Sequence, residues 1–336
     1  MRILIRPRLP VLALLLLAPS IPELLTGSTP ISTLFFDPPQ FAISFLGDVG
    51  LYGTGALLIR EFVVRYHKGW ASVLLLGAAY GVVEEGLAVH TFFEPAGLPP
   101  VGALGAYGHA FGVNWLWALG LTAFHATYSI ALPILLTQLW FPETKDVRWM
   151  DRGATVLVAG VYTFVVTLFA FVVGHGPSHS LLLLFLAVLA VLVYLAYRVP
   201  RDLLAVRPGP RRIGPVGLVF AGTLYFDGWL LMLVFAGTGG RFPAFAAALV
   251  LVAFGLGAAL MVVGRVGTEG LDRSKFCFAT GMLAILFVWD VPVEFSIPGI
   301  LLVTAVFVCL LYWLHRSLRA REVTAIPPGV VARSAP

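Results

Sequence analysis

The sequence predicts an all-α protein, a polytopic bundle of about ten membrane-spanning helices with both termini in the cytoplasm. Three observations support this prediction: the excess of apolar residues, the length of the apolar runs and the placement of basic residues between them. Of the 336 residues, 59% are hydrophobic and only 12% are charged, whereas about a quarter of the residues of a soluble domain are charged. The mean hydropathy is +0.94. Such a chain cannot cover a water-facing surface, so we expect the lipid bilayer to be its solvent.

Ten apolar runs approach the roughly 20 residues that a membrane-spanning helix needs. They fall at about 9–26, 40–64, 70–92, 113–140, 153–174, 180–198, 215–236, 242–264, 276–291 and 298–315. The ninth run is the shortest and is also compatible with a partly re-entrant segment. The first run follows three arginines, as the apolar part of a signal peptide does. Because no clear small-residue cleavage site follows it, we interpret this run as a retained span.

The basic residues favour ten spans and a cytoplasmic N-terminus. With spans alternating from that start, 21 of the 22 Lys and Arg residues fall in inside segments, and Arg241 is the remaining one. This is the bias that orients membrane proteins, and a wrong span count would scramble it. The net charge of +5 is therefore explained by the basic residues that orient the chain in the membrane. Because the basic residues form no single patch, nucleic-acid binding is not expected, and we predict a multi-pass protein of the cell membrane.

The longest inside linker suggests how the chain is divided. Residues 199–214 (VPRDLLAVRPGPRRIG) are rich in Pro and Arg. We predict a first six-span bundle over 1–198 that carries the candidate site, this cytoplasmic linker at 199–214, and a four-span bundle over 215–320. Residues 321–336 have the composition of a disordered cytoplasmic tail.

The third run contains the strongest candidate site. Glu84 and Glu85 are adjacent within it, and each carboxylate costs roughly 2.5–3.5 kcal/mol to place at the centre of a bilayer. Two adjacent carboxylates in a low dielectric do not both ionise easily, so at least one is expected to hold a proton. A shared proton suits a general base or a proton carrier. Tyr80, one helical turn earlier, is placed to donate a hydrogen bond to Glu84, and Gly77 and Gly81 allow a neighbouring helix to come close.

The fourth run supplies the expected partner of the two acids. Asn114, His125 and Ser129 share one face of the predicted helix at helical spacing. Because the third span runs outward and the fourth runs back, His125 is expected at the depth of Glu84 and Glu85. An imidazole that faces two acids is a candidate acid/base group. A neutral histidine hydrogen-bonded between helices is the alternative.

At Glu84–Glu85 and His125 the sequence resembles the CAAX-protease and bacteriocin-processing family of intramembrane endopeptidases. That family carries EExxxR on one helix and FxxxH on the next, and its acids and histidines activate a water that hydrolyses a peptide bond. In this chain Val89 replaces the motif arginine and Leu121 the motif phenylalanine. The resemblance implies that Glu84, Glu85 and His125 are catalytic.

Three functions remain open at this point. The first is an intramembrane glutamate-dependent hydrolase or peptidase, with Glu84, Glu85 and His125 as catalytic residues and Tyr80, Asn114 and Ser129 as substrate-binding hydrogen bonders. The second is a proton- or cation-coupled secondary transporter that also uses the weaker candidates Asp48 and Asp227. The third is a non-catalytic scaffold in which the polar residues only join helices. The sequence assigns no metal ligands and leaves metal dependence, the cofactor and the substrate, membrane-embedded or small, undetermined.

Overall fold

The computed structural model describes residues 8–93, 107–174, 176–205, 213–265 and 271–324. Within these ranges it describes all side chains except those of residues 226–227, 229–230, 258–265 and 323–324. The described chain is helical, apart from a two-stranded antiparallel hairpin of β1 (His109–Ala110) and β2 (Val113–Asn114). The predicted all-α class is confirmed.

The helices pack partly against partners that are distant in the sequence, such as Trp70–Gly81 against His179–Arg198 and Pro215–Ala236 against Leu271–Val293. Their bounds are α1 Arg8–Pro19, α2 Thr33–Phe36, α3 Pro38–Asp48, α4 Thr54–Arg65, α5 Trp70–Gly81, α6 Trp115–Phe124, α7 Leu132–Trp140, α8 Arg152–Val173, α9 His179–Arg198, α10 Pro215–Ala236, α11 Ala244–Arg265, α12 Leu271–Val293 and α13 Ile300–Thr324. Short 3₁₀ turns occupy Thr91–Phe93 and Pro142–Thr144.

Four wider π-helical turns interrupt or extend the helices of the first half. They are π1 (Ser20–Leu24) after α1, π2 (Val49–Gly53) between α3 and α4, π3 (Val82–Ala88) after α5, and π4 (His125–Ala131) between α6 and α7. Through π2 and π4, α3–α4 and α6–α7 each form one continuous rod. Because π turns are rare and frequent at functional sites, their concentration here marks this part of the bundle.

Seven helical rods within the described residues are long and apolar enough to cross a membrane. They are Pro38–Arg65, Trp70–Ala88, Trp115–Trp140, Arg152–Val173, His179–Arg198, Leu271–Val293 and Ile300–Glu322. The predicted multi-pass membrane protein is confirmed at this level, whereas the count of ten spans and the orientation stay predictions. The ninth run was compatible with a partly re-entrant segment, but it forms one continuous helix of 23 residues, Leu271–Val293.

The helices differ in how far the rest of the chain encloses them. In α5 with π3, 72% of the apolar window is buried, against 6% in α8 and 11% in α9. A helix exposed along most of its apolar length faces lipid in a membrane protein. The third predicted span is therefore central to the bundle, and the fifth and sixth form its outer wall.

One hydrophobic cluster joins the two halves of the sequence. It contains Leu17 from α1, Ile21 from π1, Leu132 from α7, Leu283 from α12 and Phe307 from α13. The division at residues 199–214 is a boundary in sequence composition, and as a boundary between domains it remains a prediction.

The start of the predicted disordered tail needs correction. Helix α13 continues to Thr324, and Arg321 donates hydrogen bonds to the carbonyls of Leu139 and Trp140 at the end of α7, at 2.8 and 3.1 Å. The last carbonyls of a helix lack intrahelical partners, which explains why a basic side chain is held there. Residues 325–336 of the predicted tail lie outside the described residues.

A buried arginine fixes the segment that follows α7. The Arg60 guanidinium, 1% exposed, donates to the carbonyls of Thr144, Lys145 and Val147 at 2.7, 3.1 and 2.6 Å and lies 3.6 Å from the ring centre of Trp149. Its neighbour Glu61, also 1% exposed, accepts a hydrogen bond from the Trp149 amide at 3.1 Å. Arg60 and Glu61 therefore anchor this loop, because its buried carbonyls need donors.

Candidate functional site

The acids of the third helix are buried against the fourth. Glu84 and Glu85 lie in π3 and are 4% and 7% exposed. A Cβ atom on Gly77 would lie 2.7 Å from the Ala126 Cα, and one on Gly81 would lie 3.1 Å from the His125 Cβ. The expectation that small residues admit a neighbouring helix is therefore confirmed, and it is this close approach that brings the acids to the histidine.

His125 lies between the two carboxylates. Its Nδ1 is 2.8 Å from Oε2 of Glu84, and its Nε2 is 2.9 Å from Oε1 of Glu85. The imidazole is 2% exposed, and Nδ1 also lies 2.9 Å from the Ser129 hydroxyl. We call Glu84, Glu85 and His125 the Glu–His cluster. An imidazole with an acceptor at each nitrogen suits the form in which both nitrogens carry hydrogen.

The second oxygen of Glu85 continues the hydrogen bonding towards the start of α6. The Thr91 hydroxyl donates to Oε2 of Glu85, and the Trp117 indole N–H donates to the Thr91 hydroxyl at 3.1 Å. Asn114 caps α6 by accepting the amide of Trp117 at 3.1 Å. Its side-chain nitrogen is buried without a hydrogen-bond partner among the described residues. Asn114 thus has a structural role at one atom and a free donor at another.

The second oxygen of Glu84 receives a hydrogen bond from an unexpected tyrosine. Tyr52, in π2, donates to Oε1 of Glu84. The sequence placed Tyr80 in this role, but its hydroxyl is buried with no hydrogen-bond partner among the described residues. Both rings pack near His125, with centroid distances of 6.0 and 5.9 Å. The prediction for Tyr80 as a donor to Glu84 was wrong because the width of the π turn rotates Glu84 away from it.

The polar contacts extend to a second pair of acids. The Tyr52 hydroxyl also lies 2.5 Å from Oε1 of Glu23, which is in π1. The Thr29 hydroxyl lies 3.3 Å from Oε2 of Glu23 and 2.9 Å from Oδ2 of Asp48. Sequence reasoning missed Glu23 and treated Asp48 as a weak candidate. The signal was present, since an acidic residue within the first apolar run is costly and needs a partner.

Other candidate residues lie elsewhere or are not described. Asp290 is buried in α12 and accepts a hydrogen bond from Thr304 of α13. The side chain of Asp227 lies outside the described residues. Three cavities in the described part of the chain are lined by other residues than Glu84, Glu85 and His125. The three residues of the Glu–His cluster are each at most 7% exposed, so the rest of the described structure encloses the cluster.

The same three side chains are a possible set of metal ligands. One ligand atom from each of Glu84, Glu85 and His125 lies within 4.8 Å of the others. Imidazole and carboxylate are ligands that zinc uses in catalytic sites. Both imidazole nitrogens are, however, engaged by carboxylates, which does not favour an ion between them.

A helical bundle with apolar rods of membrane-crossing length defines this chain as a multi-pass α-helical membrane protein. Residues 12–333 match the model of an uncharacterized membrane protein family, and the chain belongs to that family. Neither a curated protein nor a solved structure matches it. The family match supports the membrane class and adds nothing to the resemblance to CAAX-type endopeptidases, which stays a hypothesis.

Proposed function

We propose that the protein is an intramembrane hydrolase of the glutamate-dependent peptidase type, located in the cell membrane, with the Glu–His cluster as its acid–base centre. The proposal depends on one observation: the His125 imidazole lies 2.8 and 2.9 Å from two buried carboxylates. Hydrolysis needs a base that takes a proton from water and an acid that gives one to the leaving group. A carboxylate–imidazole–carboxylate unit supplies both through short proton transfers.

The contacts favour Glu84 as the base. Both oxygens of Glu85 are engaged, by His125 and by Thr91. Oε2 of Glu84 faces Nδ1 of His125 but accepts no well-aligned hydrogen bond among the described residues. A carboxylate oxygen with a spare lone pair is the one that can accept a proton from water. Glu85 then orients His125, which carries the proton to the leaving group.

The three polar neighbours fit supporting roles. Ser129 holds Nδ1 of His125, while Tyr80 and Asn114 each carry a buried polar group without a partner among the described residues. An unsatisfied buried donor costs about 1–3 kcal/mol, so these groups are expected to be hydrogen-bonded in the working protein. A water molecule or a substrate carbonyl is a suitable partner. Tyr80 lies beside the cluster, and Asn114 lies at the start of α6.

Cleavage in isotopically labelled water tests this proposal. Purified protein in lipid nanodiscs is incubated with a library of apolar transmembrane peptides in H₂¹⁸O, and new carboxyl termini are detected by mass spectrometry. We expect ¹⁸O in the products of the wild type, and a loss of about 10²-fold or more in rate for Glu84→Gln and His125→Asn. Asp290→Asn, which removes a buried carboxylate outside the cluster, is the matched control and should cleave normally. Persistent cleavage in both Glu84→Gln and Glu85→Gln, or no cleavage by folded wild type, contradicts the proposal.

Two other functions predict different results. A proton- or cation-coupled transporter would give no labelled product but would acidify or alkalise the lumen of proteoliposomes when a solute gradient is imposed. This alternative is favoured by the connected network of four carboxylates, which belong to Glu23, Asp48, Glu84 and Glu85. In a scaffold, neither activity is present, and Glu84→Gln lowers the unfolding free energy without any further effect.

A further inference from the structure

The Glu–His cluster is one end of a longer chain of alternating acids and hydroxyls. In order, its members are Asp48, Thr29, Glu23, Tyr52 and Glu84, each hydrogen-bonded to the next. The acids come from three separate segments: π1, the end of α3, and π3. Because these segments are far apart in the sequence, the tertiary fold, and not local helical spacing, brings the acids and hydroxyls into this order.

The number of hydrogens in this chain is constrained. A tyrosine hydroxyl has one hydrogen and can donate it to only one oxygen. Because Tyr52 lies at hydrogen-bonding distance from carboxyl oxygens of both Glu23 and Glu84, one of these groups must carry a proton and donate it to the Tyr52 oxygen. The same reasoning applies to Thr29 between Glu23 and Asp48. The chain therefore holds exchangeable protons in fixed positions.

The members of the chain differ in access to the surface. Thr29 is partly exposed and its neighbour Ser28 is exposed, while Asp48 is 7%, Tyr52 is 3% and Glu84 is 4% exposed. The loop that carries Thr29 lies, by the predicted topology, on the outer side. A proton that enters beside Thr29 and binds the adjacent Asp48 thus needs no water-filled channel to reach the cluster.

We propose that Asp48, Thr29, Glu23 and Tyr52 form a proton relay that connects Glu84 and His125 with the outer surface of the membrane. In one passage Asp48 gives its proton to the Thr29 oxygen as the Thr29 hydrogen moves to Glu23. In the same concerted movement, the proton that Glu23 already holds on Oε1 passes to the Tyr52 oxygen as the Tyr52 hydrogen moves to the Glu84 carboxylate. Glu23 thus gains a hydrogen on Oε2 as it loses one from Oε1, and its carboxyl group rotates before the next passage. The net result is one proton moved from Asp48 to Glu84, with both hydroxyls restored after they reorient. This relay rests on the geometry of the cluster and serves the proposed hydrolase by resetting the protonation of Glu84 between turnovers.

The titratable groups around the relay come from every helix packed on it. They are Glu23 on π1, Asp48 and Tyr52 on α3 and π2, Tyr80, Glu84 and Glu85 on α5 and π3, His125 on π4, and Tyr162 on α8, whose ring packs on Tyr80 at 6.3 Å. Tyr80 is the natural control for Tyr52. It lies equally close to His125, and its hydroxyl has no hydrogen-bond partner in the described structure.

A pH jump followed by infrared spectroscopy tests the relay without any substrate. The protein is held in proteoliposomes, the outer pH is lowered, and the carbonyl stretch of protonated carboxyl groups is recorded over time; the part lost in Glu84→Gln is assigned to Glu84. We expect Tyr52→Phe to slow this part by about tenfold or more, the change that loss of one charge-assisted hydrogen bond brings to a rate. Tyr80→Phe should respond like the wild type.

Two further outcomes keep the test decisive. If Tyr52→Phe unfolds, Thr29→Val removes the other hydroxyl with little change of shape, and it should slow the response in the same way. An unchanged response in Tyr52→Phe, or equal slowing in Tyr80→Phe, overturns the relay. Because the signal requires no cleavage, a failed peptide assay with an intact pH response would reject the hydrolase and leave the relay in place.

Discussion

Replacement of Gly77 by alanine is predicted to pull the Glu–His cluster apart. The new Cβ would lie 2.7 Å from the Ala126 Cα, while ordinary contact begins at 3.4 Å, so α5 and π4 must separate by about 0.7 Å. Added to the 2.9 Å between Nε2 of His125 and Oε1 of Glu85, this gives about 3.6 Å, which is too long for a hydrogen bond. The variant should therefore lose the geometry of the site before it loses the fold.

The cost of this steric clash is best measured by comparison with the same substitution at a glycine whose added Cβ would contact no other atom. A Cβ on Gly160 in α8 has no atom within 4 Å. Both alanines gain about 1 kcal/mol in helix propensity, so the difference between the variants isolates the clash. We expect Gly77→Ala to be about 1–3 kcal/mol less stable than Gly160→Ala, measured by unfolding in mixed detergent micelles. Its rate of peptide cleavage should fall about 10²-fold, as for a catalytic group displaced by about 1 Å.

The result that would refute this reasoning is equally specific. If Gly77→Ala matches Gly160→Ala in unfolding free energy and keeps full cleavage, the two helices do not meet as closely as described. The argument that small residues assemble the cluster would then fail.

Four other predictions follow from the described contacts. Arg60→Met removes the donor to the carbonyls of Thr144, Lys145 and Val147, while Glu61 keeps its ion pair with Arg148 at 3.1 Å, and it should cost about 1.5–3 kcal/mol in unfolding free energy; a cost below about 1 kcal/mol would contradict the anchoring of the loop. Glu294 accepts hydrogen bonds from backbone amides that lower its pKa. Its contribution to the unfolding free energy is therefore fully present above its pKa in the unfolded chain, and it is lost as pH falls through its lower pKa in the folded protein. The protection factors of the amides after α12, which are corrected for the intrinsic pH dependence of exchange, should fall in that acidic range in the wild type and stay constant in Glu294→Gln. Chelator should leave the melting temperature unchanged, and a fall reversed by Zn²⁺ would identify a metal in the Glu–His cluster. A cysteine in place of Arg241 should react with a membrane-impermeant thiol reagent from outside, and labelling only from inside would reverse the topology.

Sequence patterns predicted the helices well because burial in lipid leaves few alternatives. The run proposed at 215–236 coincides with α10, and that at 113–140 contains the rod formed by α6 and α7. An apolar chain in a bilayer must satisfy its backbone within each helix, so hydropathy alone locates these segments. The ninth run was underestimated because its first turn carries charged residues, which a window of apolar residues excludes.

The candidate site was only half predictable. Glu84, Glu85 and His125 were found from the cost of ionisable groups in lipid and from antiparallel helices placing them at one depth. Glu23 and Tyr52 were not assigned to this site because their contacts depend on how the first two rods pack. Tyr80 was assigned the bond that Tyr52 makes because ideal α-helical spacing was assumed through a stretch that is wider.

The four π turns give the site an unusual dependence on chain length. A π turn holds one more residue than the α turn it replaces, and π1 to π4 carry Glu23, Tyr52, the two acids and the histidine. Deletion of a single residue within one of them would restore α-helical winding and leave the flanking helices in phase, because one turn is completed either way, but it would remove or redirect the polar side chains within that turn. The apolar composition, and with it membrane insertion, would be untouched. Among relatives, an alignment gap of one residue at π3 or π4 would therefore identify a protein that has the helical bundle but lacks the Glu–His cluster. Residue identity alone would not reveal this difference.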